Sequence, residues 1–547
     1  MRIKIIFFLF FYNFAYINNV KSQIVYENIN SGVYEFLDRM SHKGYINYFD
    51  VIKPLNRTYI HKLLNEIKVH DTVLTEIEFK EVNFYLREYS ISNIIEKDTI
   101  KRFILNRTSS PIFFSAKSAD NYINFSPVLH VFQNKHNNRS FYQYASGINI
   151  WGRLGKHIGF NISYKDIIEN RDELVNDSII NNSSPGFILL TKELNKTKLI
   201  NFAEYRASIG YEWKNGFLSF GQDNFTWGYG SNGKIVLSEK SPLNQYIRLN
   251  YKPFKWLIFD YSHHWLNSNF IDSNNSYNYE NSIYGGNRLN YVPKYLTTHT
   301  LTFIPAKGIN LSFGESIVYT DKLDIGFLNP IQFYKVYDNN QSLYEILNGN
   351  NGQLFFQLSL RNILPKTHLY SSLFVDEVKL TKMFNKNESR NQIGFNIGTQ
   401  INDIMLPYLA LYLDYTRVNP FVYNNLNPAQ SYTSFGYNLG DWVGNNFDRK
   451  IAGLKYTPFP RLRLDLRYEN IRKGPEYSLE EQYLEVPTKK FLEKIIRKQR
   501  QLAFNINYEL NNNIYFISNY NYTESHNNTI NKTLSNHNFN FGFKIGL

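Results

Sequence analysis

Between Arg461 and Glu469 the chain reads RLRLDLRYE, with Leu462, Leu464, Leu466 and Tyr468 on one parity and Arg463, Asp465 and Arg467 on the other. Successive side chains of a strand point to opposite faces, so this segment needs hydrocarbon on one side and water on the other. The same alternation recurs in His157 to Lys165, Ile393 to Ile401 and Tyr408 to Tyr415. It is most regular at the C-terminus, where Phe539, Phe541, Phe543, Ile545 and Leu547 oppose Asn540, Gly542, Lys544 and Gly546. Short alternating segments with polar turns, ending in an aromatic strand, predict an all-β transmembrane barrel. From about Pro111 onward, at roughly two dozen residues per strand and turn, the length predicts about sixteen to eighteen antiparallel strands.

Short turns are expected at Lys214 to Gly216, Tyr251 to Pro253, Pro305 to Gly308 and Thr457 to Pro460, on the periplasmic rim. Longer external loops are expected at Asn267 to Tyr295 and Asn419 to Phe435. The charged segment Leu479 to Arg500 reads as a solvated loop or a helix folded over the mouth.

Upstream the period changes. Val33, Phe36, Leu37 and Met40, then Ile60, Leu63, Leu64 and Ile67, then Val82, Tyr85, Leu86 and Tyr89 recur at helical spacing. Each set forms one apolar stripe, predicting three amphipathic helices. Gly44 ends the first and Pro54 precedes the second. Such short helices need to pack together, as a plug or base beneath the barrel or as a spacer in front of it. The division expected is residues 1–22 a signal peptide, 23–108 a small helical periplasmic region and 109–547 an outer-membrane β-barrel. The leader reading rests on Arg2 and Lys4, the apolar run Ile5 to Ile17, and Val20-Lys21-Ser22 before Gln23. No later window holds about twenty uninterrupted apolar residues, so only a closed barrel could cross a bilayer.

Composition agrees. Aromatic residues make up 17% of the chain, with 43 Tyr and 43 Phe against 4 Met. Tyrosine suits the two interfacial girdles of a barrel better than a soluble core. The absence of cysteine excludes disulfides, a lipidated cysteine and thiolate metal centres. The net charge of +13 fits a cationic lumen, anionic surface lipid or an acidic ligand. Nucleic acid is a poor fit, because the charge is dispersed and no base-stacking module surrounds it.

Parity places Glu212, Arg248, Arg361, Asp414, Arg463, Asp465 and Arg467 on the lumen wall, either as structural ion pairs or as solute contacts. His263 and His264 point to opposite faces, as do Asp376 and Glu377, so neither pair makes a metal or acid/base site. Glu315 shares the parity of Leu311 and Phe313 on the lipid face. Either a bulge at Gly314 re-aims it or it lies at the rim. No phosphate loop, nucleophile elbow or metal spacing is present in the sequence, which gives catalysis, a metal and a cofactor no support.

Several segments resemble the capsule-assembly Wzi family of outer-membrane barrels. They are Phe220 to Ser238, His299 to Tyr319, Leu328 to Tyr334, Asp376-Glu377 and Leu439 to Tyr468. VYEFLDRMSHKGYI and PLNRTYIHKLL resemble the helical preface of that family's Bacteroidetes members. The resemblance implies a non-enzymatic barrel, occluded at its mouth, that acts as a lectin for capsular or another surface polysaccharide. Outer-membrane lipid, and export machinery beneath the helices, complete the partners expected. Asp223, Trp227, Glu315, Tyr319, Asn329 and Asp376 lie in the resembling segments and combine aromatic, carboxylate and amide groups suited to sugar hydroxyls. The alternative is a porin or uptake channel with an Arg-lined lumen.

Overall fold

Strict alternation commits the C-terminal four-fifths of the chain to strands, and those strands need no edge if they close on themselves. The structure, a computed structural model, describes residues 25–90, 100–104, 110–118, 120–170, 199–278, 286–341, 349–377, 391–478, 481 and 489–546. The leader and, within Leu479 to Arg500, residues 479, 480 and 482–488 lie outside the described residues.

Eighteen antiparallel strands run from Asn121–His136 to Lys532–Ile545, and these two pair to close the barrel. An entering hairpin, Ile100–Ile104 with Ile112–Ser118, pairs with the lower half of Asn121–His136. On the outer face Phe539, Phe541 and Phe543 are exposed, as are Leu413, Leu454, Leu466 and Leu502 on neighbouring strands. Aromatic residues mark both edges of this apolar band. Phe254, Trp256 and Phe303 stack at the short-turn end, while Tyr142 and Tyr144 stack towards the other. A closed barrel with an apolar outer band and two aromatic girdles is built to span a bilayer.

Two sequence boundaries move. The turn expected at Tyr251 to Pro253 falls instead at Lys255-Trp256, because Asn244–Phe254 stays a strand with its register shifted between Tyr251 and Phe254. Pro253 donates no ladder hydrogen bond, and a register irregularity near a strand end tolerates that loss. The segment Asn419 to Phe435 is no solvated loop. It folds into the lumen, where Val422, Tyr423 and Tyr432 are buried.

The three helices are α1 (Gly32–His42), α2 (Arg57–Lys68) and α3 (Glu76–Tyr89). Asn56 caps α2 through the Tyr59 N–H, and Thr75 with Glu78 forms a capping box on α3. Gly44, at φ +80°, lets the chain turn out of the first helix. Their apolar stripes share one core, built from Val33, Phe36, Leu63, Leu64, Val82 and Tyr85 among others. The same segment also reaches beyond that core. Tyr26, Val51 and Ile52 belong to the hydrophobic cluster inside the barrel, so the two cores meet. A fourth helix, α4 (Tyr334–Gln341), follows the strand Ile309–Thr320.

Candidate functional site: a filled lumen

The inward parity of the wall strands carries charged side chains that anchor what fills the barrel. Towards the helical plug, Arg361 of the wall strand Asn351–Arg361 donates from Nη2 to Asp50 Oδ1 at 2.7 Å and from Nη1 to the Tyr48 carbonyl at 3.2 Å. Arg463 pairs with Glu35 at 3.2 Å and donates to Tyr85 Oη at 3.1 Å, while Tyr85 donates to Glu509 at 2.9 Å. Arg248 donates to the Pro54 carbonyl at 3.2 Å and pairs with Asp260 at 3.3 Å. Buried charges persist only when paired in this way. These arginines therefore latch the plug to the wall.

The long-loop end is filled as well. Asp414 accepts from Tyr370 Oη at 2.7 Å, from Asn396 Nδ2 at 2.9 Å and from the Ser231 N–H at 3.2 Å, which ties residues 224–243 to the wall. That loop descends far enough for Thr226-Trp227 to pair as a strand with Ile52-Lys53 of the plug. The Gly228 N–H donates to the Val51 carbonyl at 2.7 Å. Residues 419–446 lie beside it. Tyr423 and Tyr432 donate to the carbonyls of Ile235 and Val236 at 2.8 and 2.9 Å. Arg449 grips Asp441 with two hydrogen bonds, 2.6 and 3.0 Å, and both side chains are fully buried. Gly233, at φ +141°, passes so close that a Cβ there would meet Asp441 Oδ2 at 2.7 Å. Phe225, Trp227, Ile235, Val236, Leu237, Val422, Leu439 and Val443 close around these contacts as one apolar core.

The residues singled out in the sequence do not form one site. Arg248, Arg361, Asp414 and Arg463 serve as the anchors just described. Asp465 accepts from Tyr412 and Asn505, and Arg467 lies 3.6 Å from Glu469. Asp376 accepts from the Tyr423 N–H at 2.7 Å and from Gln353, fixing residues 419–446 to the wall. Trp227 is buried at the meeting of plug and loop, 2% exposed. Asp223 pairs with Arg206 at 3.3 Å beside a cavity of about 70 Å³ over the plug, which Asn149, Trp151, Asn161 and Arg57 also line. That volume holds a few waters and no sugar chain. Glu315, Tyr319 and Asn329 sit elsewhere, at the outside wall or in the segment beside it. Of the two readings of Glu315, the bulge at Gly314 is absent: the ladder runs without a register shift through Glu315, opposite His299 on one side and Leu354 on the other.

The sequence reading passed over a polar patch beside the folded-in loops. Trp442, half-buried, donates its Nε1–H to the Asn232 carbonyl at 2.8 Å, and the Lys240 ammonium lies 4.4 Å above its ring. Asn232 Nδ2 donates to Glu469 at 2.7 Å. Glu469 is fully buried behind this patch, between Arg467 Nε at 3.6 Å and Arg449 Nε at 3.9 Å. Burial pushes Lys240 down to about 8, with Glu469 and Glu239 opposing the shift. The part-exposed members, Trp442, Lys240 and Asn232, combine an aromatic ring, a cation and an amide of the kind that contacts a sugar ring. The signal was legible in LGDW, where a lone tryptophan follows a Gly-Asp pair in a run without alternation.

No protein-family model and no curated protein matches the chain. Solved structures do. Wzi, an outer-membrane protein involved in group 1 capsule assembly in Escherichia coli and described as a carbohydrate-binding β-barrel, matches with a TM-score of 0.57 at 12% identity. The match covers 96% of this chain and all of that one. Two Pseudomonas aeruginosa barrels also match. OccK3 (OpdO) does so with a TM-score of 0.42 at 12% identity, covering 77% of this chain and 95% of that one. For OprD the values are 0.43 and 10%, covering 82% and 98%. At these identities the comparison establishes the fold: this chain is an eighteen-stranded, Wzi-like closed barrel.

Proposed function

We propose that the protein is a Wzi-type barrel of the bacterial outer membrane that holds an acidic surface polysaccharide at its outward mouth, without catalysis and without forming a diffusion pore. One observation carries this reading: the lumen is packed from both ends, and the strand pair between Ile52-Lys53 and Thr226-Trp227 joins the two fillings at its middle. A diffusion porin needs a continuous aqueous path where this barrel has an apolar core. The carbohydrate binding named for the Escherichia coli Wzi supports a glycan as ligand. The net charge of +13 and the Lys240, Trp442 and Arg467 patch support an acidic one.

Trp442→Ala is expected to weaken retention of an acidic polysaccharide about tenfold, the scale of ~1.4 kcal/mol, while Trp442→Phe keeps most of it. Both variants should show normal heat-modifiable migration on gels, which reports barrel folding. Lys240 loses its charge as pH rises through about 8, so binding should fall between neutral pH and pH 9. Arg at that position stays protonated, and Lys240→Arg should abolish the fall. Unchanged binding in Trp442→Ala, together with a flat pH profile for the natural chain, would remove this patch from the reading.

A further inference from the structure

The segment following the strand Ile309–Thr320 turns outward and folds down over the outside of the barrel. Its buried side chains, Phe327 and Tyr334, pack on Tyr261, Ile317 and Tyr319, all of which share the outward parity of their strands. Glu315 fixes the arrangement. Its carboxylate accepts the backbone N–H groups of Tyr334 at 3.0 Å and Lys335 at 2.6 Å, the first turn of α4, with His299 at 3.6 Å. His263 Nε2 and the Tyr319 hydroxyl are 2.8 Å apart behind Phe327. An outer wall carrying His263, His299 and Glu315 would otherwise present imidazoles and a carboxylate to hydrocarbon.

The level of this cover can be placed. Strand residues rise about 3.3 Å each and tilt about 40°, so Glu315 stands about 15 Å above Ile309, within an apolar band about 25 Å tall. Leu354, directly across the ladder from Glu315, is 56% exposed on the outside, and Phe313, two residues below, is 55% exposed. The outward side of the covering segment continues that apolar surface. Ile325, Ile331, Phe333 and Val336 are 81, 78, 71 and 58% exposed. Lys335 keeps its ammonium 3.7 Å from Asp338, and the helix ends in the polar run Asn339, Asn340 and Gln341.

We infer that residues 321–341 form a belt embedded in the membrane, which shields the polar window of His263, His299 and Glu315 and buries Ile325, Ile331, Phe333 and Val336 among the acyl chains of the outward-facing leaflet. A segment that buries Phe327 and Tyr334 against the wall and exposes Ile325, Ile331, Phe333 and Val336 on its other side has hydrocarbon as the natural surroundings of those four side chains. The inference rests on the barrel lying in a bilayer, and a reference label tests that separately.

The natural chain has no cysteine, so single nitroxide labels can be placed without background. Ile331→Cys and Phe333→Cys are labelled in the full chain reconstituted into phospholipid vesicles. Phe541→Cys serves as the lipid reference and Asn274→Cys as the aqueous one. Collision with dissolved oxygen and with a water-soluble nickel chelate is then read by electron paramagnetic resonance. The expected result is loss of nickel collision at 331 and 333 with oxygen collision retained, matching 541. Nickel collision matching 274 would overturn the inference, as would loss of both collisions, which marks contact with a second protein copy. A Phe541 label exposed to nickel would overturn the bilayer placement and this inference with it. Glu315→Ala should release the belt, seen as a sharper, more mobile spectrum at 331; an unchanged spectrum would show that Glu315 does not hold it.

Discussion

Asp441→Ala is expected to cost about 3–5 kcal/mol of stability, because it strands the Arg449 guanidinium inside the barrel without its two-pronged partner. The Ser231 carbonyl at 3.4 Å, Glu469 at 3.9 Å and, further off, Asp414 remain near that charge, and none replaces the two parallel hydrogen bonds. The loss should appear as a lower guanidinium midpoint in vesicle-inserted protein, with early protease cleavage within residues 419–446. Removing both charges together, as Asp441→Leu with Arg449→Met, should recover most of the loss, since a packed apolar pair needs no desolvation of ions. A single variant within about 1 kcal/mol of the natural chain would mean that the loops are held without this pair.

Phe541→Arg is the second large effect. Phe541 lies mid-strand between Gln133 and Ser518 on the exposed outer face, with Phe539 and Phe543 on the same parity. A cation near the middle of the bilayer costs roughly 2–4 kcal/mol, and the strand cannot escape by slipping one residue without turning its other phenylalanines inward. Asn540→Arg, one residue away on the inner face, should cost far less. Comparing the two variants by gel shift and by unfolding in vesicles checks the face assignment, and equal losses would contradict it.

The wall of this barrel was legible in the sequence because its physics is local: a strand between oil and water writes a period of two, and a plug helix writes a period near four. Glu315 shows where local reading stops. Its parity points outward, as the alternation predicts, and a carboxylate in lipid is costly, which is why a bulge or a place at the rim is what a local reading offers. The structure meets that cost with a segment from the next loop, a long-range contact that no periodicity records. Trp227 and the run Ile235, Val236 and Leu237 show the same limit from inside. A loop core has no fixed period, so aromatic residues there look like girdle residues. Three consecutive apolar residues between Gly233 and Ser238 were the available sign of a segment buried on every side. The inward charges were legible as a set, and what they hold was not, since Arg361 finds Asp50 more than three hundred residues away.

The lumen is filled from both ends, and conductance across a planar lipid bilayer tests this most directly. Purified full-length protein, with insertion verified by protease protection, should give no stable current step at moderate voltage. Steady ohmic steps from the intact chain, persisting at low voltage, would contradict a closed lumen and identify an aqueous path through the barrel.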